Sequence, residues 1–144
     1  MIDRFLKPSH KVDLVRLGNS FDGGYLIPKI IIKKTDILIS FGLGLDWSFE
    51  CDFKKNKKDI EIYCYDHSIT RKFWYEHTLI SLFFFIKNFK NFDNIFKFFS
   101  YKSFFNNNKI FHIQKKIVVH KKNKKSQVTI EDLIKITKKK NTFI

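Results

Sequence analysis

The sequence predicts an α/β protein with a Rossmann-like parallel sheet flanked by helices, and three stretches carry that expectation. Residues 36–66 run from a short apolar segment, DILISF, through the turn GLGLD and a helical segment into a second apolar segment, IEIYCYD, which ends on Asp66. Strand, glycine turn, helix and strand in about 30 residues describe a βαβ unit with parallel strands and a right-handed crossover. Residues 71–105 are dense in Phe at helical spacing, and 109–120 holds a further apolar run. With 144 residues the chain can bury one core but is short for two. Residues 1–144 read as a single, partial domain: 1–35 an N-terminal hairpin or extension, 36–144 the Rossmann-like part.

Taken in order, residues 12–28 alternate apolar and polar about a turn-rich centre, which predicts strand–turn–strand, with Asp22-Gly23-Gly24 supplying positive backbone angles. The run at 36–41 reads as a strand buried on both faces. A helix follows from Asp46 or Trp47 to about Lys55, with Asp46 as its N-cap. KKNKKD is a solvated turn before the strand at 60–66. In the Phe-rich middle, one helical stripe runs Phe73, His77, Ile80 and Phe84, and an adjoining one Phe85, Phe89 and Phe92. Asp93 is the expected N-cap of a second helix. Such stripes normally pack a core rather than hold a ligand. A third strand is expected within 109–120, centred on Ile117 to Val119. VTIEDLIKI starts a helix with Thr129 as N-cap and Asp132 at its third position, and the terminal TFI reads as the opening of a fourth strand.

Composition narrows the function classes. A hydrophobic fraction of 44% and an aromatic fraction of 17% describe a globular chain rather than a disordered one. The formal net charge of +14 invites a nucleic-acid reading, but nearly all of it is Lys, with Arg only at Arg4, Arg16 and Arg71. Phosphate and base readers exploit the forked guanidinium of Arg. A solvated lysine surface, weakly attracted to anionic membranes or polyanions, is the preferred reading. Cys51 and Cys64 form no CxxC pair, and His10, His67, His77, His112 and His120 show no metal-ligand spacing with them, so no metal is expected. Reduced thiols in a cytoplasmic protein are the plain expectation. The first residues, MIDRFLKPSHKVD, carry early charges and no apolar core, unlike a secretory signal. The most apolar run, LISLFFFI, falls far short of the roughly 20 residues needed to cross a bilayer, so no transmembrane segment is expected.

The turn at 42–46 sits where open α/β sheets bind ligands, beside the strand's carboxyl end and the next helix's positive end. Gly42 and Gly44 let the backbone approach a ligand. The third glycine of a dinucleotide loop is replaced by Trp47, which would block a pyrophosphate, and Asp46 adds negative charge there. A ligand with adenosine at one end and a cationic amino acid at the other suits such a loop better: S-adenosylmethionine, which carries no phosphate. Asp66, at the end of the second strand, is placed to accept hydrogen bonds from both ribose hydroxyls. The expected cofactor-binding residues are therefore Gly42, Gly44, Asp46 and Asp66. An empty structural turn is the competing reading.

RLGNSFDGGYLIP, ISFGLGLDWSFECDF and IYCYDHSI together resemble the FkbM-type S-adenosylmethionine-dependent methyltransferases, and SYKSFF, HIQKKIVV and VTIEDLIKI resemble that group's middle region. The resemblance extends from about Val12 to the end. It implies a class I methyltransferase fold, with Gly42, Gly44 and Asp46 along the cofactor's methionine and ribose side and Asp66 on the ribose. By the same resemblance, Glu50 anchors Arg16 or the Asp22–Gly24 segment rather than touching the cofactor. Ser40 stands where the family carries an acid two residues before the first glycine, and Asp46 is expected to compensate. In the family a strand reading Leu-Lys-Ile-Asp-Ile-Glu-Gly follows the last helix. This chain ends at Ile144 as that strand begins, so it is expected to be a truncated part of a longer enzyme, incomplete at the C-terminus.

The resemblance implies methyl transfer to a hydroxyl of a sugar or small metabolite, by in-line displacement with positioning and sometimes a general base. His67 and His120 are the obvious candidates for a base, and each reads better as structural, so no catalytic residue is named. The competing readings are a catalytically dead scaffold that binds a partner protein, and a basic nucleic-acid-binding module with salt-sensitive affinity.

Overall fold

The computed structural model describes residues 11–20, 24–88, 93–122, 125–137 and 141–144. The chain opens with an antiparallel hairpin of β1 (Leu14–Leu17) and β2 (Tyr25–Pro28), with Val15 opposite Ile27 and Leu17 opposite Tyr25. The strand–turn–strand read from the alternating pattern is present, but its glycine chemistry differs. Asp22 and Gly23 lie outside the described residues, and Gly24 has no positive φ; among the described residues of the hairpin the left-handed glycine is Gly18, at φ 87°. Gly24 answers to crowding instead: a Cβ there would fall 2.0 Å from the Asn19 carbonyl oxygen and 2.6 Å from the Arg16 guanidinium. Pro28, with its fixed φ, leads into the short helix α1 (Lys29–Lys34), whose buried contact is Ile32.

The next elements are β3 (Ile37–Phe41), α2 (Ser48–Asn56), β4 (Glu61–Tyr65), α3 (Arg71–Asn88), α4 (Asp93–Phe105), β5 (Ile110–Ile113), β6 (Lys116–Ile117), β7 (Gln127–Val128), α5 (Ile130–Thr137) and β8 (Thr142–Phe143). Four of these strands form one parallel sheet in the order β5–β4–β3–β8. This is an α/β architecture with a parallel sheet and helices, compatible with a Rossmann-like fold.

Alternation along the central strands divides the core in two. Leu38, Ile62, Cys64 and Ile110 pack on one face with Phe53 of α2 and Ile60. Ile37, Ile39 and Tyr65 pack on the other with Val128 and Leu133 of α5. The strand read as buried on both faces is therefore so. β8, the expected fourth strand, is held in register at its start. The Asp36 and Ile37 N–H groups both donate to the Asn141 carbonyl oxygen, at 2.7 and 3.1 Å. The Asn141 backbone and side-chain N–H groups return to the Asp36 carboxylate at 3.2 and 3.1 Å.

Two expectations shift. The third strand of the sheet is Ile110–Ile113, not the Ile117–Val119 run. β4 ends at Tyr65, opposite Ile113, so beyond Ile113 the chain has no strand left to pair with in that sheet. It turns there, Lys116 and Ile117 pair with β7 in a separate two-stranded ribbon, and Val119 is 83% exposed. The buried face of α3 is also rotated. Phe73 and His77 do meet, with tilted rings 4.3 Å apart between centroids, but among the described side chains of α3 Trp74 and Ser81 are the buried ones and Ile80 is exposed. Trp74 sets this face by meeting Phe98 and Tyr101 of α4 at 5.5 and 4.9 Å. The side chains of Phe84 and Phe85, and Phe89 and Phe92 entirely, lie outside the described residues. Helix α4 starts at Asp93 itself rather than after it.

Candidate functional site

The carboxyl ends of β3 and β4 lie side by side, and the glycine turn closes over them. The Gly42 N–H donates to the Tyr65 carbonyl oxygen at 3.1 Å, and the Gly44 N–H to Asp66 Oδ2 at 3.0 Å. Gly42 and Gly44 stand at φ 69° and 55°, where a Cβ is strained. A Cβ on Gly42 would meet no atom within 4 Å, so glycine is required there by backbone angle and the space above it is open. The convergence of the two glycines with Asp66 that the sequence predicts is thus present in the fold.

Asp66 itself is only 6% exposed and is heavily engaged. Besides Gly44, its carboxylate accepts the Ser68 N–H at 2.7 Å and the Ser68 hydroxyl at 2.6 Å, both on Oδ1. Burial alone would push this carboxyl up, but the Gly44, Ser68 and Ile69 donors outweigh it and hold it below the usual range. An ionised carboxylate offers about four acceptor positions, and the Gly44 and Ser68 hydrogen bonds occupy three of them. In this conformation Asp66 braces the loops after β3 and β4, and a ribose binding it through both hydroxyls would compete with the Ser68 donors.

Asp46 is not the N-cap expected for α2: Trp47 holds that position without a side-chain cap, and Asp46, one residue further out, accepts the Ser48 N–H on Oδ1 at 2.9 Å in a turn that leads into the helix. Its Oδ2 accepts from Asn19 Nδ2 at 3.1 Å, tying the helix start to the hairpin. Burial opposes ionisation here too, but Ser48, Asn19 and nearby Lys97 hold the carboxyl below its ordinary value. Trp47 does not stand guard over the loop. It is buried among core aromatics, edge-on to Trp74 and Tyr101 at 6.5 and 5.8 Å, so what a pyrophosphate would meet is carboxylate charge.

Glu50 corrects a second expectation. It does not reach Arg16, whose guanidinium donates to the carbonyls of Asn19 and Ser20 at 2.9 and 2.8 Å; of the alternative anchor, the Asp22–Gly24 segment, Asp22 and Gly23 lie outside the described residues. Glu50 is 4% exposed and accepts the Ser40 hydroxyl. The strand position that lacks an acid is thereby joined to one supplied from the first turn of α2. Burial pushes the Glu50 carboxyl above its ordinary range despite the Ser40 hydrogen bond, and Asp46 adds to the rise. No cation is paired with it among the described residues. Both Ser40 and Glu50 line a cavity of about 440 Å³ beside the end of β3, walled by Tyr25, Leu26, Phe49 and Phe143, with Gly42 and Asp46 at its edge. Because the chain proceeds from β3 to β4 and β5 on one side and returns to β8 on the other, this cavity lies at the topological switch point, where open α/β sheets take ligands.

Sequence reasoning missed a third group. Tyr101 of α4 hydrogen-bonds His112 Nδ1 at 2.5 Å, and His112 Nε2 lies 3.1 Å from the Asp66 carbonyl oxygen. A carbonyl only accepts, so Nε2 carries the proton and Nδ1 accepts from the tyrosine. Burial lowers the His112 pKa, which favours this neutral form. Trp74 Nε1 is buried without a hydrogen bond of ordinary geometry; burial raises the Tyr101 pKa and outweighs the opposing effect of Trp74, so the tyrosine stays the neutral donor. Only the position of His112 on β5, next to β4, could have signalled this chain, and the third strand was expected elsewhere. His67 and His120 are exposed and line none of this.

The cysteines are inert. Burial pushes Cys51 up to about 11 and Cys64 higher still, so both remain thiols. Among the described residues no cluster of His, Cys, Asp and Glu could hold a metal ion, and no helix is long and apolar enough to cross a membrane. Comparison with protein-family models, curated proteins and solved structures returned no match. Fold and site together define an α/β protein with a four-stranded parallel sheet and a carboxylate-lined crevice at its switch point.

Proposed function

We propose that the chain binds S-adenosylmethionine over the carboxyl ends of β3 and β4, as part of a methyltransferase acting on a hydroxyl of a sugar or small metabolite. The observation that carries this reading is the left-handed Gly42–Gly44 turn closing onto Asp66 across adjacent parallel strands. The switch-point cavity supports it through its chemistry. A buried carboxylate with no cation is costly to ionise, and the ammonium of the methionine moiety would supply the missing charge at Glu50. The open space over Gly42 leaves room for the ligand backbone to pass, and the acids there disfavour a pyrophosphate. The chain's own part in the reaction is to orient the ligand and exclude water; no described side chain stands out as a base.

Calorimetric titration of S-adenosylhomocysteine tests the reading. Binding is expected, Asp66→Ala should abolish it, and His67→Ala should leave it unchanged. A folded protein that takes up no heat of binding would overturn the proposal. The second reading, a scaffold that keeps the fold without the ligand, is favoured by one observation, the engagement of Asp66 by three hydrogen bonds from Ser68 and Gly44. Under that reading Asp66→Ala lowers stability but changes no affinity, since there is none to lose.

A further inference from the structure

Helices α3 and α4 turn their core-facing sides inward through Trp74, Ser81, Phe98 and Tyr101. Their opposite sides expose large apolar groups beside the Lys72–Glu76 ion pair. On α3, Tyr75 is 67% exposed, with Leu79 and Ile80 about half exposed. On α4, Phe96 and Phe99 are 67% and 63% exposed. On a surface helix these positions are ordinarily charged or polar. Between and around them stand Arg71, Lys72, Lys97 and Lys102, all exposed. The segment 71–105 holds six Lys and Arg against two acids, and 11 of the chain's 18 Phe.

We propose that the outward face of the α3–α4 pair is a docking surface for an anionic lipid bilayer, on which the helices lie in the interface plane. Exposed aromatic and aliphatic side chains among lysines are the composition of an interfacial helix. The apolar groups enter the headgroup boundary, while lysine stems reach past them to the anionic lipids. Charge decides against the other occupants. A second copy of this chain would bring another net charge of +14 against the first, which opposes self-association through this face. A nucleic acid would leave Leu79 and Ile80 without the stacking that bases give aromatic rings, and it would find a single Arg in this segment, Arg71. The mode is peripheral, in keeping with the absence among the described residues of any helix fit to span a bilayer. Apart from Lys97, which lies near Asp46, the residues of this surface do not line the switch-point crevice, and the proposal holds whether or not that crevice takes S-adenosylmethionine.

Vesicle co-sedimentation of the full chain tests it, with phosphatidylcholine vesicles alone and with a third of the lipid replaced by phosphatidylserine. Pelleting is expected with the anionic vesicles only. The double variant Phe96→Ser/Phe99→Ser should weaken it about tenfold or more, with unchanged circular dichroism. Leu79→Ser on the other helix should weaken it as well and serves if the double variant fails to fold. Lys97→Glu/Lys102→Glu should reduce binding at low salt, and about 0.5 M NaCl should do the same to the parent. The proposal is overturned if anionic vesicles pellet no protein. It is equally overturned if the Phe and Leu variants pellet like the parent, which would mean adsorption by lysines alone. Sedimentation velocity showing a dimer that Phe96→Ser/Phe99→Ser dissociates would assign the face to a second copy instead.

Discussion

Glu50 concentrates what single residues decide in this protein. Ten positions separate it from Ser40 in the chain, and one helical turn brings its carboxylate back onto that hydroxyl. The hydrogen bond does not compensate for burial, so the folded pKa lies above the unfolded one. Linkage then fixes the sign. Stability from the neutral carboxyl is fully present below the unfolded pKa and is lost as pH rises through the folded pKa. Glu50→Gln keeps the shape and removes the ionisation. It should raise the thermal midpoint at neutral pH by about 4 °C for each kcal/mol recovered and flatten the midpoint's fall between acid and neutral pH. The same substitution should weaken S-adenosylhomocysteine about tenfold or more, since hydrogen bonds to charged groups contribute roughly 1.5–3 kcal/mol. A variant more stable but poorer in binding would mark Glu50 as a ligand group. Unchanged affinity would leave it a structural carboxyl. None of this was legible in the sequence, where Glu50 is one acid among several at the start of a helix.

At the scale of elements, α5 was readable because every signal for it is local. Thr129 and Asp132 form a capping box. The Thr129 N–H and hydroxyl donate to Asp132 Oδ2 at 2.9 and 2.8 Å, and the Asp132 N–H returns to the Thr129 hydroxyl at 3.3 Å. Lys121 adds an ion pair at 2.5 Å, and these partners hold the Asp132 carboxyl well below the usual range. Thr129→Ala should cost about 1 kcal/mol and speed amide exchange in the first turn of α5, with Leu133 keeping the rest of the helix on the core. Exchange unchanged at that turn would show the cap to be idle. β5 was not readable in the same way. Ile117–Val119 has the stronger strand composition, yet Ile110–Ile113 enters the sheet because β4 offers partners only as far as Tyr65. A strand's membership is decided by the length and position of its neighbour, which lies 46 residues earlier for His112 and Asp66.

Over the whole molecule, two electrostatic effects compete. The described ion pairs are mostly exposed, and each such pair stabilises by roughly 0–1 kcal/mol that salt screens away. Against them stands the self-repulsion of a net charge of +14, which salt relieves over a Debye length of about 10 Å at 0.1 M. The second effect acts on every lysine and should win. The thermal midpoint is expected to rise by several degrees between low and moderate NaCl, measured by circular dichroism. A midpoint that falls would show that the pairs matter more than the net charge.

The sequence alone determined the parallel α/β architecture, the hairpin before it, the capped last helix and the glycine turn facing Asp66, because each rests on patterns spanning a few neighbouring residues or a fixed βαβ length. Tertiary structure alone decided that Trp47 belongs to the core, that Ser40 and Glu50 meet at the switch point, and that Tyr101 and His112 stand behind Asp66. Those contacts join residues from different elements, and their positions follow from how the sheet orders its strands and how α3 and α4 rotate to pack Trp74.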